Sequence, residues 1–305
     1  MRPNFVVWAY AALQMVESST TAYTGATGMG GSSFRTFVIE ERGVRVYSGV
    51  MVFNWFFIFW ISCLRSFWNC PVKKKVVSFS LFGNSSRYLS GALPNLLLAQ
   101  SLYSGWEVRF YSDFTVPTLV LDGIRKQGGK VVIVPRLRGV AGMFTRFLVA
   151  EDPCVERFIV RDVDSRIGMR EWFAVHEWVA SRKPIHIMRD APYHDFPMLG
   201  GMWGGFHISL NISNHLRVNK TGKWNEDQEF LWETVYRTYR DNHIAHDSYF
   251  CTKYPNSVSF PTERRHCRFV GEIYSGSTTR MTKKSRCFST HSPVQCRRNI
   301  SWMYG

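Results

Sequence analysis

Arg157-Phe-Ile-Val-Arg-Asp162-Val-Asp164-Ser-Arg166 is an apolar run that ends in two carboxylates. Arg157–Val160 reads as a strand, because a short apolar run bounded by charge suits an extended segment covered on both faces. Beyond it, Asp162 and Asp164 are spaced i and i+2. Along an extended chain that spacing sends both side chains to one face, where they can share a cation. Hard divalent ions take oxygen ligands, and Mg²⁺ or Mn²⁺ typically uses one or two carboxylates plus substrate phosphates. The plain alternative is a surface turn carrying two solvated aspartates.

Outward from this stretch the chain alternates strand-like and helical patterns. Val76–Phe82, Glu107–Tyr111, Val131–Val134 and Ile185–Met188 read as strands, and Tyr88–Tyr103, Pro117–Gln127, Met143–Val149 and Met169–Ser181 as helices. That rhythm predicts an α/β fold with a mainly parallel sheet flanked by helices. In such sheets ligands bind beyond the carboxyl ends of the strands, so chemistry is expected just after each strand.

The N-terminal third has a different character. Residues 1–45 lack periodicity and are rich in Ser, Thr and Gly between Ser18 and Ser33. Val46–Leu64 is uncharged and heavy in Phe, Trp and Ile. It is about the length of a membrane-spanning helix, so a single-pass anchor is expected there, with a long buried helix as the alternative. Arginines and lysines on both sides leave its orientation open. The expected organisation is a flexible segment over 1–45, an anchor over 46–64, a short stem over 65–75, a catalytic domain over 76–275 and a basic tail over 276–305.

The formal net charge of +15 invites a nucleic-acid reading, but about half of the excess lies after Glu263. A solvated basic tail explains that without a polyanionic partner. Seven cysteines include no C-x-x-C pair. Cys251, Cys267, Cys287 and Cys296 fall in the last quarter, where cross-links would fit an oxidising compartment and buried free thiols would fit equally.

The segment "MFTRFLVAEDPCVERFIVRDVDSRI", Met143–Ile167, resembles the part of GT-A glycosyltransferases in which an arginine-bearing helix leads into the strand with the D-x-D motif. Its layout is closest to the retaining, glycogenin-like family eight. The resemblance covers residues 76–272. It implies a Rossmann-like GT-A sheet, a nucleotide-sugar donor (a UDP-sugar above all), and Mn²⁺ or Mg²⁺ as cofactor. Arg146 would approach the nucleotide diphosphate, with help from Arg166. Asp162 would face the ribose and the metal, and Asp164 would ligate the metal directly. The family usually has an apolar residue where this chain has Arg161.

Three later segments follow the same order. Pro197–Gly205 carries Gly200, Gly201, Trp203 and Gly204 where such enzymes place a small-residue loop around the donor sugar; a glycine-rich turn is the alternative. Asp227 and Gln228 resemble the D-Q pair that opens a helix beside the sugar, although an acidic residue in a first helical turn is also ordinary capping. His246, or His243 after it, would complete the metal site, with a structural His–Asp hydrogen bond as its competitor. Arg189 and Asp190 lie just past a strand, as sugar or acceptor contacts or as a structural ion pair.

The implied activity is transfer of a sugar to a glycan, lipid or protein acceptor, with retention favoured by the D-Q resemblance. An anchored enzyme of this kind would reside in the Golgi or another secretory compartment. Two rivals remain: a metal-dependent nuclease or nucleotidyltransferase, and a membrane-anchored sugar-nucleotide-binding protein without turnover. A membrane segment is hard to reconcile with nucleic-acid substrates, and both aspartates needed for metal binding are present.

Overall fold

The computed structural model describes residues 70, 72–134, 139–218, 225–264, 268–275, 278–279 and 291–302. The expected anchor over 46–64, its flexible N-terminal segment and about half of the stem lie outside them. Among the described residues no helix is long and apolar enough to cross a membrane.

Strand β1 (Lys74–Leu81) is followed by α1 (Ser86–Leu102), β2 (Glu107–Ser112), α2 (Thr118–Lys126) and β3 (Lys130–Ile133). A 3₁₀ segment (Gly139–Glu151) then leads into β4 (Val155–Arg161), α3 (Met169–Ser181) and β5 (Ile185–Arg189). Next come β6 (Met202–Phe206), α4 (Ile212–Val218) and α5 (Glu226–Leu231), the last running on through a π turn (Trp232–Tyr236). Strands β7 (His243–Asp247) and β8 (Ser257–Val258) complete the main sheet. Its order is β3-β2-β1-β4-β6-β5-β7-β8. Only β6 runs antiparallel to its neighbours, β4 and β5. The predicted mainly parallel α/β sheet flanked by helices is what forms.

Residue alternation in the strands sorts the core onto two faces. Val77, Phe79 and Leu81 of β1 pack with Leu96, Ile124 and Trp178 from α1, α2 and α3. Val76 and Phe158 face the other way, against Phe144 and Phe147 of the 3₁₀ segment and Phe230 of α5. On that second face β1 carries Ser78 and Ser80, whose small side chains let the 3₁₀ segment lie close. Their hydroxyls donate to the carbonyls of Arg146 (2.6 Å) and Met143 (3.4 Å). The predicted helix over Met143–Val149 is therefore present in tighter form, hydrogen-bonded to the strand that it covers.

Two disulfides join distant parts of the chain, Cys70 to Cys154 and Cys251 to Cys296. The second docks part of the expected basic tail. Cys296 and Ser292 are fully buried, and Arg298 forms a two-pronged ion pair with Glu177 of α3 (2.5 and 2.8 Å). Residues 291–302 are thus tied to the domain at Cys296 and Arg298, while most of their side chains stay exposed.

Candidate active site

The chain does not continue extended past β4. The amide and hydroxyl of Ser165 both donate to the Asp162 carbonyl (3.2 and 2.8 Å), closing a turn. This replaces the alternation expected for Asp162 and Asp164. The turn still keeps the carboxylates in electrostatic contact: burial, then the charge of Asp162, raises the Asp164 pKa, while Arg87 works against both. Asn95 of α1, itself fully buried, clamps the turn. Its amide donates to the carbonyls of Val163 and Ser165 (2.9 Å each) and its oxygen accepts from Ile167 N–H (3.2 Å). Gly91 is required one turn earlier, since a Cβ there would collide with the Val163 carbonyl. The Tyr274 amide donates to the Asp164 carbonyl (2.7 Å) from the other side.

Around this turn three distant segments meet. Arg146, from the 3₁₀ segment, has one guanidinium nitrogen on Asp162 and the other on Asp227 Oδ2 (2.8 Å). Burial works against the charge of Arg146, yet the two carboxylates raise its pKa. Its Nε is buried without a partner among the described residues. Asp227 lies in the first turn of α5 and is buried, whereas the Asp162 side chain keeps 43% of its surface exposed. Gly200 and Gly201 form the remaining wall. A Cβ on Gly200 would enter the Asp227 carboxylate and one on Gly201 the Asp162 carboxylate, so only glycine permits this approach.

Asp162 and Asp164 suit a hard divalent cation: two carboxylates on one turn, with the outer one open to solvent. In the structure each is bonded to an arginine, Asp162 to Arg146 and Asp164 to Arg87 (2.6 and 3.0 Å). Among the described residues no third His, Cys, Asp or Glu joins them.

His246 is not brought to this cluster. It sits on β7, separated from β4 by β6 and β5, and its side chain faces α3. There Nε2 donates to Glu177 (2.9 Å) and Nδ1 accepts from His186 Nε2 (2.9 Å). His243 donates through Nδ1 to the Tyr239 carbonyl and packs on the Tyr236 ring. Neither histidine reaches the aspartates, because strand order places them at the far side of the sheet.

Arg189 and Asp190 are fully buried and take the structural alternative. Arg189 pairs with Asp247 (2.5 Å) and donates to the Pro197 carbonyl (2.6 Å), which fixes the approach to Gly200. Asp190 accepts from Arg170, Arg264, Ser248 and the Val270 amide, and its pKa falls despite burial because the two arginines face it. Trp203 and Gly204 belong to β6 rather than to a loop. Trp203 is fully buried against Phe147 and Phe158. Gly204 makes room for the Phe158 carbonyl and the Trp178 ring. The Gln228 side chain turns back to donate to Asn225 (3.0 Å), while its backbone amide donates to Asp227 Oδ1 (3.0 Å). Arg166 donates to the Ser165 carbonyl (2.7 Å) and lies over the Tyr274 ring, so it holds the turn's backbone.

Sequence reasoning missed Arg87, Asn95, Tyr274 and His194. Arg87 lies just past β1, where the strand-end rule would have found it. His194 is buried, and its pKa is lowered to about 4 by that burial, with Asp190 opposing. Arg161, the departure from the family's pattern, is buried and pairs with Glu171 of α3 (2.8 Å).

No family model matches the chain, and no curated protein matches it. Solved structures do. A glycosyltransferase involved in the glycosylation of the major capsid of PBCV-1 is 16% identical over 58% of this chain and 82% of its own, with a TM-score of 0.40. A putative nucleotide-diphospho-sugar transferase from Desulfovibrio desulfuricans is 11% identical over 58% and 80%, at 0.39. The 4-diphosphocytidyl-2C-methyl-D-erythritol synthase from Anaerococcus prevotii is 13% identical over 57% and 89%, at 0.38. At such values these likenesses decide neither fold family nor activity.

Proposed function

We propose that the chain is a GT-A-type glycosyltransferase that moves a sugar from a nucleotide-sugar, a UDP-sugar first of all, to a glycan, lipid or protein acceptor. One observation carries this reading: Arg146 bridges Asp162 and Asp227 beneath Gly200 and Gly201, at the carboxyl end of a central strand. Segments far apart in sequence converge where an open α/β sheet binds ligands.

Asp162 and Asp164 would hold Mn²⁺ or Mg²⁺, which supplies Lewis-acid neutralisation of a diphosphate leaving group. Arg146 adds a buried, fixed positive charge beside the same position, and such preorganised charge costs no reorganisation as negative charge develops. The glycine pair lets main chain approach the donor closely. Asp227, bonded to Arg146, is oriented as an electrostatic partner rather than as a free base. That favours retention, which needs no carboxylate base at the acceptor hydroxyl. The two disulfides support an oxidising, secretory location, with Val46–Leu64 as the anchor.

The test is turnover. The full chain, with Mn²⁺ and a panel of UDP-sugars, should release UDP from one of them, faster with acceptor. Asp164→Asn should lose that release while keeping its melting temperature. Full release by the folded variant would remove Asp164 from the site, and absence of release from every donor would remove the reading.

A further inference from the structure

A second concave feature lies beyond the first turn of α5. Trp232, Tyr236, Arg237, Arg240, Lys253 and Tyr254 line a cleft of about 380 Å³, within the range of small-ligand pockets. The π turn that carries Trp232 and Tyr236 inserts an extra residue into the helix, a distortion frequent at functional sites. It brings the two rings face to face, with centroids 5.2 Å apart and planes 19° from parallel. Tyr236 is buried beneath, whereas Trp232 stays 37% exposed. One indole face is therefore braced by a ring and the other is offered to the cleft.

Three cations surround that platform. Arg237 is held by Glu233 (2.6 Å), and Lys253 by Asp195 (2.6 and 2.8 Å), which also accepts from the Tyr254 hydroxyl (2.9 Å). Arg240 forms no ion pair among the described residues, and its charge is felt at the Tyr236 hydroxyl. An aromatic face and an uncommitted guanidinium lining one cleft suit a sugar ring that carries an anionic group and offers its C–H face to the indole. The ring stacks on the indole, and the carboxylate, sulfate or phosphate takes the guanidinium's paired donors.

Both walls are tied through the chain to segments of the candidate active site. Trp232 follows Asp227 by five residues along α5, a rise of about 8 Å. Asp195, partner of Lys253 and Tyr254, lies five residues before Gly200. We propose that this cleft is the subsite for an anionic saccharide, the acceptor glycan of the transfer. Its role as acceptor site rests on the transferase reading; binding of the saccharide does not. A single-stranded nucleic acid is the less favoured occupant, because such sites use successive aromatic platforms along an extended groove, and one exposed indole is present here.

The experiment is calorimetric titration of the full chain, without donor or metal, against trigalacturonate, a sulfated trisaccharide, neutral maltotriose and oligo-dT. One of the two anionic saccharides should bind at least about tenfold more tightly than maltotriose, as one charge-assisted contact implies. Arg240→Gln and Trp232→Ala should each weaken it by about tenfold. The melting temperature should be unchanged in Arg240→Gln, whose side chain is exposed, and lowered somewhat in Trp232→Ala, which also loses the stack on Tyr236. Metal-dependent UDP binding, measured separately, should be the same in both variants. Absence of binding by either anionic saccharide, equal binding of maltotriose, or undiminished binding in both variants would overturn the proposal. Tighter binding of oligo-dT, lost in the same variants, would overturn it in favour of nucleic acid. Because no donor is present, a failure of turnover at Asp164 leaves this result interpretable by itself.

Discussion

The carboxyl ends of β4 and of β5 with β7 are equally rich in ionisable residues, but they are built differently. At the ends of β5 and β7, Arg189, Asp190, His246 and Asp247 are all fully buried, and the arginine and both aspartates meet opposite charges. Beyond β4, Asp162 is half-exposed, two glycines leave backbone against carboxylates, and Arg146 Nε is buried without a partner among the described residues. A buried network of ion pairs holds loops in place. A cluster open on one side is available for a ligand. Residue type alone does not separate the two; burial does.

The contrast is broken most sharply by exchanging the phenotypes. Asp190→Ala strands Arg170 and Arg264 in the interior and should cost about 3–5 kcal/mol of stability, read by chemical denaturation. Asp162→Ala should cost far less stability, yet lower turnover by about 10²–10³-fold, the usual scale for loss of a preorganised electrostatic group. An Asp190 variant as stable as the parent would mean that the buried network is not structural.

Next in size is the Cys251–Cys296 bridge. Its loss by Cys296→Ser should lower stability by about 2–4 kcal/mol, seen as a lower melting temperature on which reductant, acting now on Cys70–Cys154, has a smaller effect than in the parent. With Arg298 on Glu177, the bridge ties residues 291–302 to the domain.

Gly201→Ala tests the close approach itself. The new Cβ would displace the Asp162 carboxylate, so activity should fall at least about tenfold with little change in melting temperature, because Asp162 is half-exposed. Unchanged turnover would show that the approach is not used.

The smallest effect is in pH. His194 is held neutral, with its pKa near 4 instead of the usual value near 6.5. As pH falls through that window the unfolded chain takes up a proton that the folded chain refuses, so stability declines by about 1 kcal/mol per pH unit. Asp190, whose folded pKa is depressed, withdraws its own contribution only at still lower pH. Denaturation midpoints at pH 7, 6 and 5 should fall in order, and His194→Asn should flatten the slope.

Much of this was legible in the chain. Strand β4 and the helix over Met169–Ser181 follow from hydrophobic pattern, and Arg146, Asp162, Asp227, Gly200 and Gly201, singled out in the sequence, meet in the structure. Trp203 and Gly204 misled because glycine next to an aromatic residue reads as a loop, whereas in β6 the glycines admit Phe158 and Trp178. His246 misled because sequence order is not strand order: β6 enters between β4 and β5 and carries β7 away from the aspartates. The Cys70–Cys154 bridge and Asn95 join segments far apart in sequence, and no local pattern announces such pairs.

The central claim is that the turn after β4 binds a nucleotide diphosphate through a divalent ion. Calorimetric titration of the full chain with UDP, with Mn²⁺ and then with chelator, tests it directly. Saturable binding that requires Mn²⁺, and that disappears in a folded Asp164→Asn variant, is the predicted result. Binding that persists in chelator and in that variant, or no binding under either condition, would contradict it.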